Sequence, residues 1–208
     1  MKIFVTGGSS GVGLAVKNLL TGQGHEVTAP TRQELNLFDF YAIDGLDLGE
    51  YDVVVNCAGA NPGAYLGWRG NPWHNQVTQV NVNFTAPLLL AKQYATQRDQ
   101  GQFVFVTSTN IDDPIAMNIF YTASKAALRY SIDTFRKDCP GIVFTEICPG
   151  KIKSNMLRQN YQGTKTDEEI EAMYAKGPAL APEDLAATID YAIKYKINQI
   201  TQVPYDQS

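Results

Sequence analysis

Short apolar runs alternate along this chain with longer segments of helical period. The runs are rich in β-branched and aromatic residues, which favour strands, and the longer segments repeat their apolar positions as amphipathic helices do. Such alternation is typical of βαβ units, so we expect an α/β fold with a doubly wound, mostly parallel sheet and helices on both faces. We predict strands at Lys2 to Thr6, Glu26 to Pro30, Asp52 to Asn56, Gln102 to Thr107, Ile142 to Ile147 and Gln199 to Val203, and helices at Val12 to Thr21, Pro72 to Gln97, Phe120 to Lys137 and Pro182 to Lys194.

Two segments depart from this alternation. The link from Thr31 to Phe38 is too short for the crossover helix that a parallel neighbour needs, so either Leu35 to Leu37 forms a short edge strand or the helix before it has been lost. The segment 151–177 is polar and poorly periodic at its start, and we expect it to be a mobile flap rather than a core element. Because no repeat or linker interrupts the chain, we expect residues 1–208 to form a single domain.

Composition and charge exclude several classes of protein. Of the 208 residues, 44% are hydrophobic and 18% are charged, which is an ordinary balance for a globular protein. The formal net charge of -4, without a dense stripe of Lys and Arg, disfavours nucleic-acid binding. No apolar run approaches the ~20 residues of a membrane span, and the apolar stretch before the first glycine is too short for a signal peptide. We therefore expect a cytoplasmic protein that binds neither nucleic acid nor membrane.

The cysteines and histidines give no sign of a disulfide or a metal site. Cys57, Cys139 and Cys148 are an odd, scattered set without C-x-x-C spacing, which argues against a disulfide framework and against a zinc knuckle. His25 and His74 are not spaced like metal ligands. We expect a reducing compartment and no catalytic metal.

A glycine-rich loop follows the first predicted strand and opens the first predicted helix. Gly7 permits a tight turn, Gly11 leaves room for a backbone to approach a pyrophosphate, and Gly13 lets the helix pack on the strand. The unpaired N–H groups and partial positive charge of a helix N-terminus then favour phosphate. The loop therefore predicts a dinucleotide site, whose contacts we expect from Gly7, Ser9, Ser10, Gly11, Val12 and Gly13.

The end of the second predicted strand decides which adenosine ribose such a site accepts. An acidic side chain there bonds a free 2′-hydroxyl, whereas an arginine accommodates a 2′-phosphate. Counting on from Gly13, Thr31 and Arg32 hold this position. We therefore predict NADP. NAD stays open, because Glu34 lies nearby and Arg32 is alternatively a solvated surface residue.

Tyr121 and Lys125 are the main candidates for proton transfer. Their spacing of four residues places a phenol and an ammonium on one face of the predicted helix. A fixed cation favours the phenolate, so it would bring the tyrosine pKa from about 10 towards neutral pH. Ser108, which follows a predicted strand, emerges at the carboxyl edge of the sheet, where ligands of open α/β folds bind.

Several motifs stand in a fixed order along the chain. They are T-G-x-x-x-G-x-G at Thr6 to Gly13, N-x-A-G at Asn56 to Gly59, Asn83, Ser108, Tyr121 with Lys125, and Pro149-Gly150. In order and spacing they resemble the short-chain dehydrogenase/reductase family over essentially the whole chain. The resemblance implies a Rossmann fold and NAD(P)-dependent hydride transfer between nicotinamide and a carbonyl or alcohol substrate. The alternatives are a non-catalytic NAD(P)-binding regulatory protein, which would not need these catalytic positions together, and an epimerase that uses bound cofactor transiently.

The resemblance also implies a role for each matching residue. Tyr121 would exchange a proton with the substrate oxygen, Lys125 would hold the nicotinamide ribose and lower the tyrosine pKa, and Ser108 would hydrogen-bond the substrate oxygen. Asn83 would position a water for a proton relay, unless Asn81 does so or Asn83 only caps or kinks its helix. Further cofactor contacts are implied for Asn36, Leu37, Asn56, Ala58, Gly59, Tyr121, Lys125, Pro149, Gly150, Ile152 and Ser154, the last of which is alternatively a helix cap.

Three features bear on recognition and assembly. The family usually has an aspartate against adenine where this chain has Asn36, so recognition there would be weaker or would use backbone groups. The two long predicted helices would, by resemblance, form the contact of a homodimer or homotetramer. An aromatic and apolar pocket wall is suggested by side chains that fit a core or an interface as well, namely Tyr65, Trp68, Trp73, Met156, Leu157 and Tyr161.

Overall fold

A single parallel sheet forms the centre of the protein. The computed structural model describes residues 1–161, 164–175 and 179–202, and these contain six strands in the order β2-β1-β3-β4-β5-β6. All neighbouring strands pair in parallel, as Val5 does with Val55. The strands are β1 (Lys2–Thr6), β2 (Glu26–Thr28), β3 (Val53–Asn56), β4 (Gly101–Val106), β5 (Ile142–Pro149) and β6 (Gln199–Gln202).

Helices cover both faces of this sheet, which confirms the predicted doubly wound α/β fold. The helices are α1 (Gly11–Gly22), α2 (Phe40–Asp44), α3 (Gly67–Gly70), α4 (Trp73–Val80), α5 (Ala86–Gln97), α6 (Ile119–Asp138), α7 (Asn155–Asn160), α8 (Asp167–Ala175) and α9 (Pro182–Tyr195). α1 and α9 pack together on one face, and α2, α5 and α6 lie on the other. Within the described ranges, the helices lack the combination of length and apolar character that a membrane crossing needs.

Alternate residues of the central strands face the two helical layers. Phe103 and Phe105 of β4 pack with Phe144 in the layer beneath α5 and α6, whereas Val104 faces α1 and α9. All of these side chains are fully buried. Continuous apolar strands are expected where both faces are covered, because neither face meets water. Each such side chain contributes about 1.5–3 kcal/mol through its burial.

The link after β2 contains neither a strand nor a helix over residues 31–39. The edge strand predicted at Leu35 to Leu37 is therefore wrong, and the alternative, loss of the helix before it, holds. A turn takes their place, in which the Leu35 amide donates to the Thr31 carbonyl at 2.9 Å. Leu35 and Leu37 are nevertheless buried in the same layer as Phe4, so their apolar character serves packing rather than strand pairing.

The long helix predicted at Pro72 to Gln97 forms with a π-helical turn, Asn81–Thr85, between α4 and α5. The backbone stays helical through the turn. A π turn inserts an extra residue into a helix and often marks a functional site. Here it contains Asn83, whose side chain is fully buried.

The segment 151–177 follows β5, and backbone hydrogen bonds join its start to Leu180, just beyond its end. The Lys153 amide donates to the Leu180 carbonyl, and the Leu180 amide donates to the Lys151 carbonyl, both at 2.9 Å. Between these bonds lie α7 and α8, while 162–163 and 176–177 fall outside the described residues. The mobility of this flap stays a prediction.

Candidate active site

The carboxyl ends of β1 and β3 open into one cleft. β2 lies on one side of β1 and β3 on the other, so the loops that follow the strands diverge. Open α/β sheets bind their ligands in such a crevice. The cleft has a volume of about 910 Å³, which is within the usual range for ligand pockets. Its walls come from the glycine loop, the segment after β3, the ends of β4 and β5, and parts of α6 and α7.

The glycine loop lines one end of the cleft. Gly7 has a left-handed backbone, φ 74°, and a Cβ there would lie 2.9 Å from the Ala58 nitrogen. A Cβ on Gly13 would lie 2.2 Å from the Gly7 oxygen. Gly11, φ 52°, lines the cleft, and a Cβ there would meet the Ser154 Cβ at 3.8 Å, an ordinary van der Waals distance. α1 begins here and its first N–H groups point into the cleft, so the loop fits a phosphate group.

Ser108, Tyr121 and Lys125 lie together in the wall of the same cleft. The Ser108 hydroxyl follows β4, accepts from the Asn110 amide at 3.2 Å and lies near enough to the Tyr121 hydroxyl to affect its pKa. The Lys125 ammonium lies 5.9 Å from the centre of the Tyr121 ring and donates to the Val106 carbonyl at 2.7 Å. All three side chains are buried. The structure therefore brings the predicted serine, tyrosine and lysine into one site.

Burial dominates the ionisation of these groups. It raises the pKa of Tyr121 above its ordinary value, and the nearby Ser108 hydroxyl opposes the rise. It lowers the pKa of Lys125 to about 8, against the opposing effect of Cys57. In this arrangement of side chains, Lys125 does not lower the pKa of Tyr121 as expected. Its ammonium bonds the Val106 carbonyl, and burial outweighs the other effects on the phenol. At neutral pH the phenol is protonated and the ammonium is mostly charged.

We expect Lys125→Met to stabilise the fold at pH 7. Folding lowers the lysine pKa from 10.5 to about 8, so the unfolded state binds the proton more tightly. The cost of burying the charged lysine is therefore complete below the folded-state pKa of about 8, and it disappears as the pH rises towards the unfolded-state pKa of 10.5. The variant should gain about 1 kcal/mol or more in free energy of unfolding at pH 7, and less at pH 10. Urea denaturation at both pH values measures this, and an equal difference at both would contradict it.

The end of the cleft that we expect to hold adenosine lies beside the turn that follows β2. Arg32 is exposed and lines this end together with Asn36 and Leu37. Glu34 is engaged elsewhere, because its carboxylate accepts from the Thr31 amide at 2.7 Å, a bond that lowers the pKa of Glu34. Of the charged side chains near this position, Arg32 is therefore the one that faces the cleft.

The geometry of fold and cleft agrees with the comparison to known proteins. The family model described as short chain dehydrogenase matches residues 42–165, which is more than half of the chain. The chain belongs to the short-chain dehydrogenase family.

Relatives of this short-chain dehydrogenase match it along most of their length. A putative ketoacyl reductase of the monensin polyketide synthase from Streptomyces virginiae is 27% identical and covers 90% of this chain and 87% of its own. An NADP-dependent 3-hydroxy acid dehydrogenase from Escherichia coli is 25% identical, and the match covers 100% of this chain and 96% of the relative. The closed form of a serine dehydrogenase complexed with NADP+ superposes with a TM-score of 0.84 at 22% identity, over 97% of this chain and 94% of its own. These similarities confirm the fold.

Three residues predicted for the dehydrogenase site lie outside the cleft wall. The Asn83 amide group donates to the Ala60 carbonyl at 2.7 Å and its oxygen accepts from the Ala60 amide at 2.9 Å. Asn56 accepts from the Thr6 hydroxyl at 3.0 Å beneath the loops. Thr31 holds the turn after β2. In this arrangement the three side chains bond neighbouring loops, and the cofactor contacts of Asn56 and Thr31 and the relay role of Asn83 stay predictions.

The other residues predicted for the dehydrogenase site line the cleft. Ile152 pairs with Leu180 at the base of the flap, which places the segment after β5 against the cleft. A Cβ on Gly59 would lie 3.0 Å from Met156 of α7, so the two walls meet closely there. The lining residues of this group are Ser9, Ser10, Val12, Ala58, Gly59, Pro149, Gly150, Ile152 and Ser154.

The predicted aromatic wall forms in part. The rings of Tyr65 and Tyr161 stack with centres 3.8 Å apart and planes at 9°, and both line the cleft with Met156. Trp73 does not, because it is 74% exposed on α4. The side chains of Trp68 and Leu157 fall outside the described part of the chain.

Sequence reasoning missed two buried asparagines in the cleft wall, Asn61 and Asn118. Each has a side-chain oxygen without a hydrogen-bond partner among the described residues. They lie in loops outside any recognisable motif, so no pattern pointed to them. Their side chains make this part of the cleft wall polar and uncharged. In the described ranges, no group of three or more His, Cys, Asp or Glu is placed to hold a metal, and the cysteines are free.

Proposed function

We propose that this short-chain dehydrogenase uses NADP(H) to interconvert a carbonyl and an alcohol. The proposal rests on the position of Ser108, Tyr121 and Lys125 together in a cleft that the glycine loop also lines. The glycine loop fits a diphosphate because Gly11, at the start of α1, puts no side chain into the cleft. The names of one relative and one similar structure specify NADP, which supports the same cofactor.

The side chains in the cleft supply the proton chemistry. When bound, the nicotinamide supplies hydride to the carbonyl carbon in reduction or accepts it in oxidation. Tyr121 donates its proton to the carbonyl oxygen and is reprotonated from solvent, while Ser108 hydrogen-bonds the same oxygen. Lys125 would hold the nicotinamide ribose, because its ammonium lies in the cleft wall beside the Tyr121 ring. Because burial raises the pKa of Tyr121, the phenol is protonated at neutral pH and can donate its proton in the reducing direction.

We expect Arg32→Ala to weaken NADPH binding by about tenfold or more, because a charge-assisted bond to the 2′-phosphate is lost. NADH affinity should stay within about twofold, since NADH has no phosphate there. The neighbouring, exposed Gln33→Ala is the matched control and should change neither affinity. Fluorescence titration with both nucleotides measures the effect. An equal loss for NADPH and NADH would place the phosphate elsewhere.

We also propose that a second copy of the chain packs on α4 and α6 in a homodimer or homotetramer. Large apolar side chains are exposed on these helices, including Trp73 at 74% and Tyr130 at 81%. Exposed apolar surface of this kind marks interaction sites. Sedimentation equilibrium should give a multiple of 22.9 kDa, and Trp73→Glu should shift the protein towards monomer. A monomeric wild type at micromolar concentration would refute the assembly.

A further inference from the structure

Arg129 lies on the face of α6 that carries Tyr121, two helical turns further along. Its side chain is 22% exposed, and its guanidinium reaches two other parts of the fold. Nε donates to the Glu146 carboxylate of β5 at 2.7 Å, and Nη1 donates to both oxygens of Asp112 at 2.8 and 2.9 Å. One side chain therefore joins α6 to β5 and to the loop after β4.

Both carboxylate partners are linked to the segment around Ser108. On one side, Thr107 donates its hydroxyl to the same Glu146 oxygen at 2.5 Å. On the other side, Asp112 ends the short helical turn that follows Ser108. The two flanks of the serine are therefore tied to Arg129 through carboxylates.

A third contact extends the cluster towards the cleft. Nη2 of Arg129 donates to the sulfur of Cys148 at 2.7 Å, directly before Pro149 and Gly150 of the cleft wall. Glu146 is only 2% exposed, so loss of the cation would leave a buried carboxylate without its ion pair. A planar guanidinium fixes the directions of its bonds, which a flexible ammonium does not.

We propose that Arg129 is a positioning residue that holds Ser108 at its working distance from Tyr121. The inference rests on the proposed function of the same site. Arg129 is not part of the cleft wall and acts through Glu146 and Asp112. Its loss should therefore affect the chemical step more than cofactor binding, because the glycine loop belongs to a different part of the cleft and only Pro149 and Gly150 follow a residue that Arg129 bonds.

Arg136 provides a matched control on the same helix. It is 24% exposed and bonds Asp133, the Phe144 carbonyl of β5 and the Asn198 carbonyl, all away from Ser108. We expect Arg129→Met to lower kcat at least tenfold at saturating NADPH, while the Kd for NADPH changes by a much smaller factor. Arg136→Met should keep kcat within twofold. Arg129→Lys, which retains a cation beside Glu146, should recover part of the lost kcat and covers the case in which the methionine variant does not fold.

Amide hydrogen exchange gives a readout that does not depend on turnover. The Asn110 amide is bonded to the Ser108 hydroxyl, so its exchange rate reports the position of the serine. We expect this rate to rise at least tenfold in Arg129→Met, to rise less in Arg129→Lys, and to stay at the wild-type value in Arg136→Met. Equal kcat in the two methionine variants, or unchanged exchange at Asn110 in the Arg129 variants, would overturn the positioning role. A wild type without turnover would instead refute the proposed function, and the exchange data would still decide the role of Arg129.

Discussion

Tyr121→Phe should lower kcat for carbonyl reduction by about 10³-fold or more while NADPH affinity changes by less than about twofold. The substitution removes the phenolic hydroxyl and keeps the ring, which is 8% exposed in the cleft wall. The proton donor is lost, whereas the packing of the ring beside Lys125 is preserved and the glycine loop is unchanged. NADPH absorbance measures the rate, and fluorescence titration measures the affinity.

The control for this variant is a tyrosine whose hydroxyl is bonded far from the cleft. Tyr94 is fully buried and donates to the Asp52 carbonyl at 2.9 Å. Tyr94→Phe should cost about 1 kcal/mol of stability with kcat unchanged. Full turnover in Tyr121→Phe would remove the phenol from the proposed mechanism.

Gly13→Ala should reduce NADPH affinity by about 30-fold or more and lower the melting temperature. The new Cβ would lie 2.2 Å from the Gly7 oxygen and 3.0 Å from the Gly8 nitrogen, so the loop must move away from α1. The N–H groups at the start of the helix would then no longer face the phosphate position. Differential scanning calorimetry and nucleotide titration measure the two effects.

Gly22→Ala is the matched control, because it makes the same change at the other end of α1. A Cβ there meets no atom within 4 Å. It should therefore stabilise the protein by about 0.5–1 kcal/mol and leave NADPH binding unchanged. If both alanines had the same effect on binding, the close approach of Gly13 to Gly7 would not be what shapes the loop.

The parts of the fold that the sequence predicts well are those set by local pattern. The buried run of β4 and the helical period of α6 each specify one element, and each observed bound differs from the predicted one by one residue. Leu35 to Leu37 show why the pattern fails elsewhere. Two apolar residues at a spacing of two indicate burial on one side, and a turn packed on the sheet provides that burial without strand pairing.

In the candidate site, too, the sequence predicts the features that local pattern sets and not those that depend on tertiary packing. The Tyr121 and Lys125 pair is visible in the sequence because one helix sets its geometry. The bonds of Asn83 to Ala60 and of Arg129 to Glu146 join different elements, and their partners depend on how the chain folds back. No spacing rule contains that information. The cytoplasmic location expected from the sequence stays a prediction.

Isotope transfer from the cofactor tests the proposed chemistry most directly. NADPH deuterated at the transferring C4 position should deliver one deuterium to the carbonyl carbon of the substrate, with one NADPH oxidised for each alcohol formed. An epimerase would form product without net oxidation of NADPH, and a nucleotide-binding regulator would form no product. Either outcome across a panel of aldehydes and ketones, with NADPH shown to bind, would contradict the assignment of this cleft to hydride transfer.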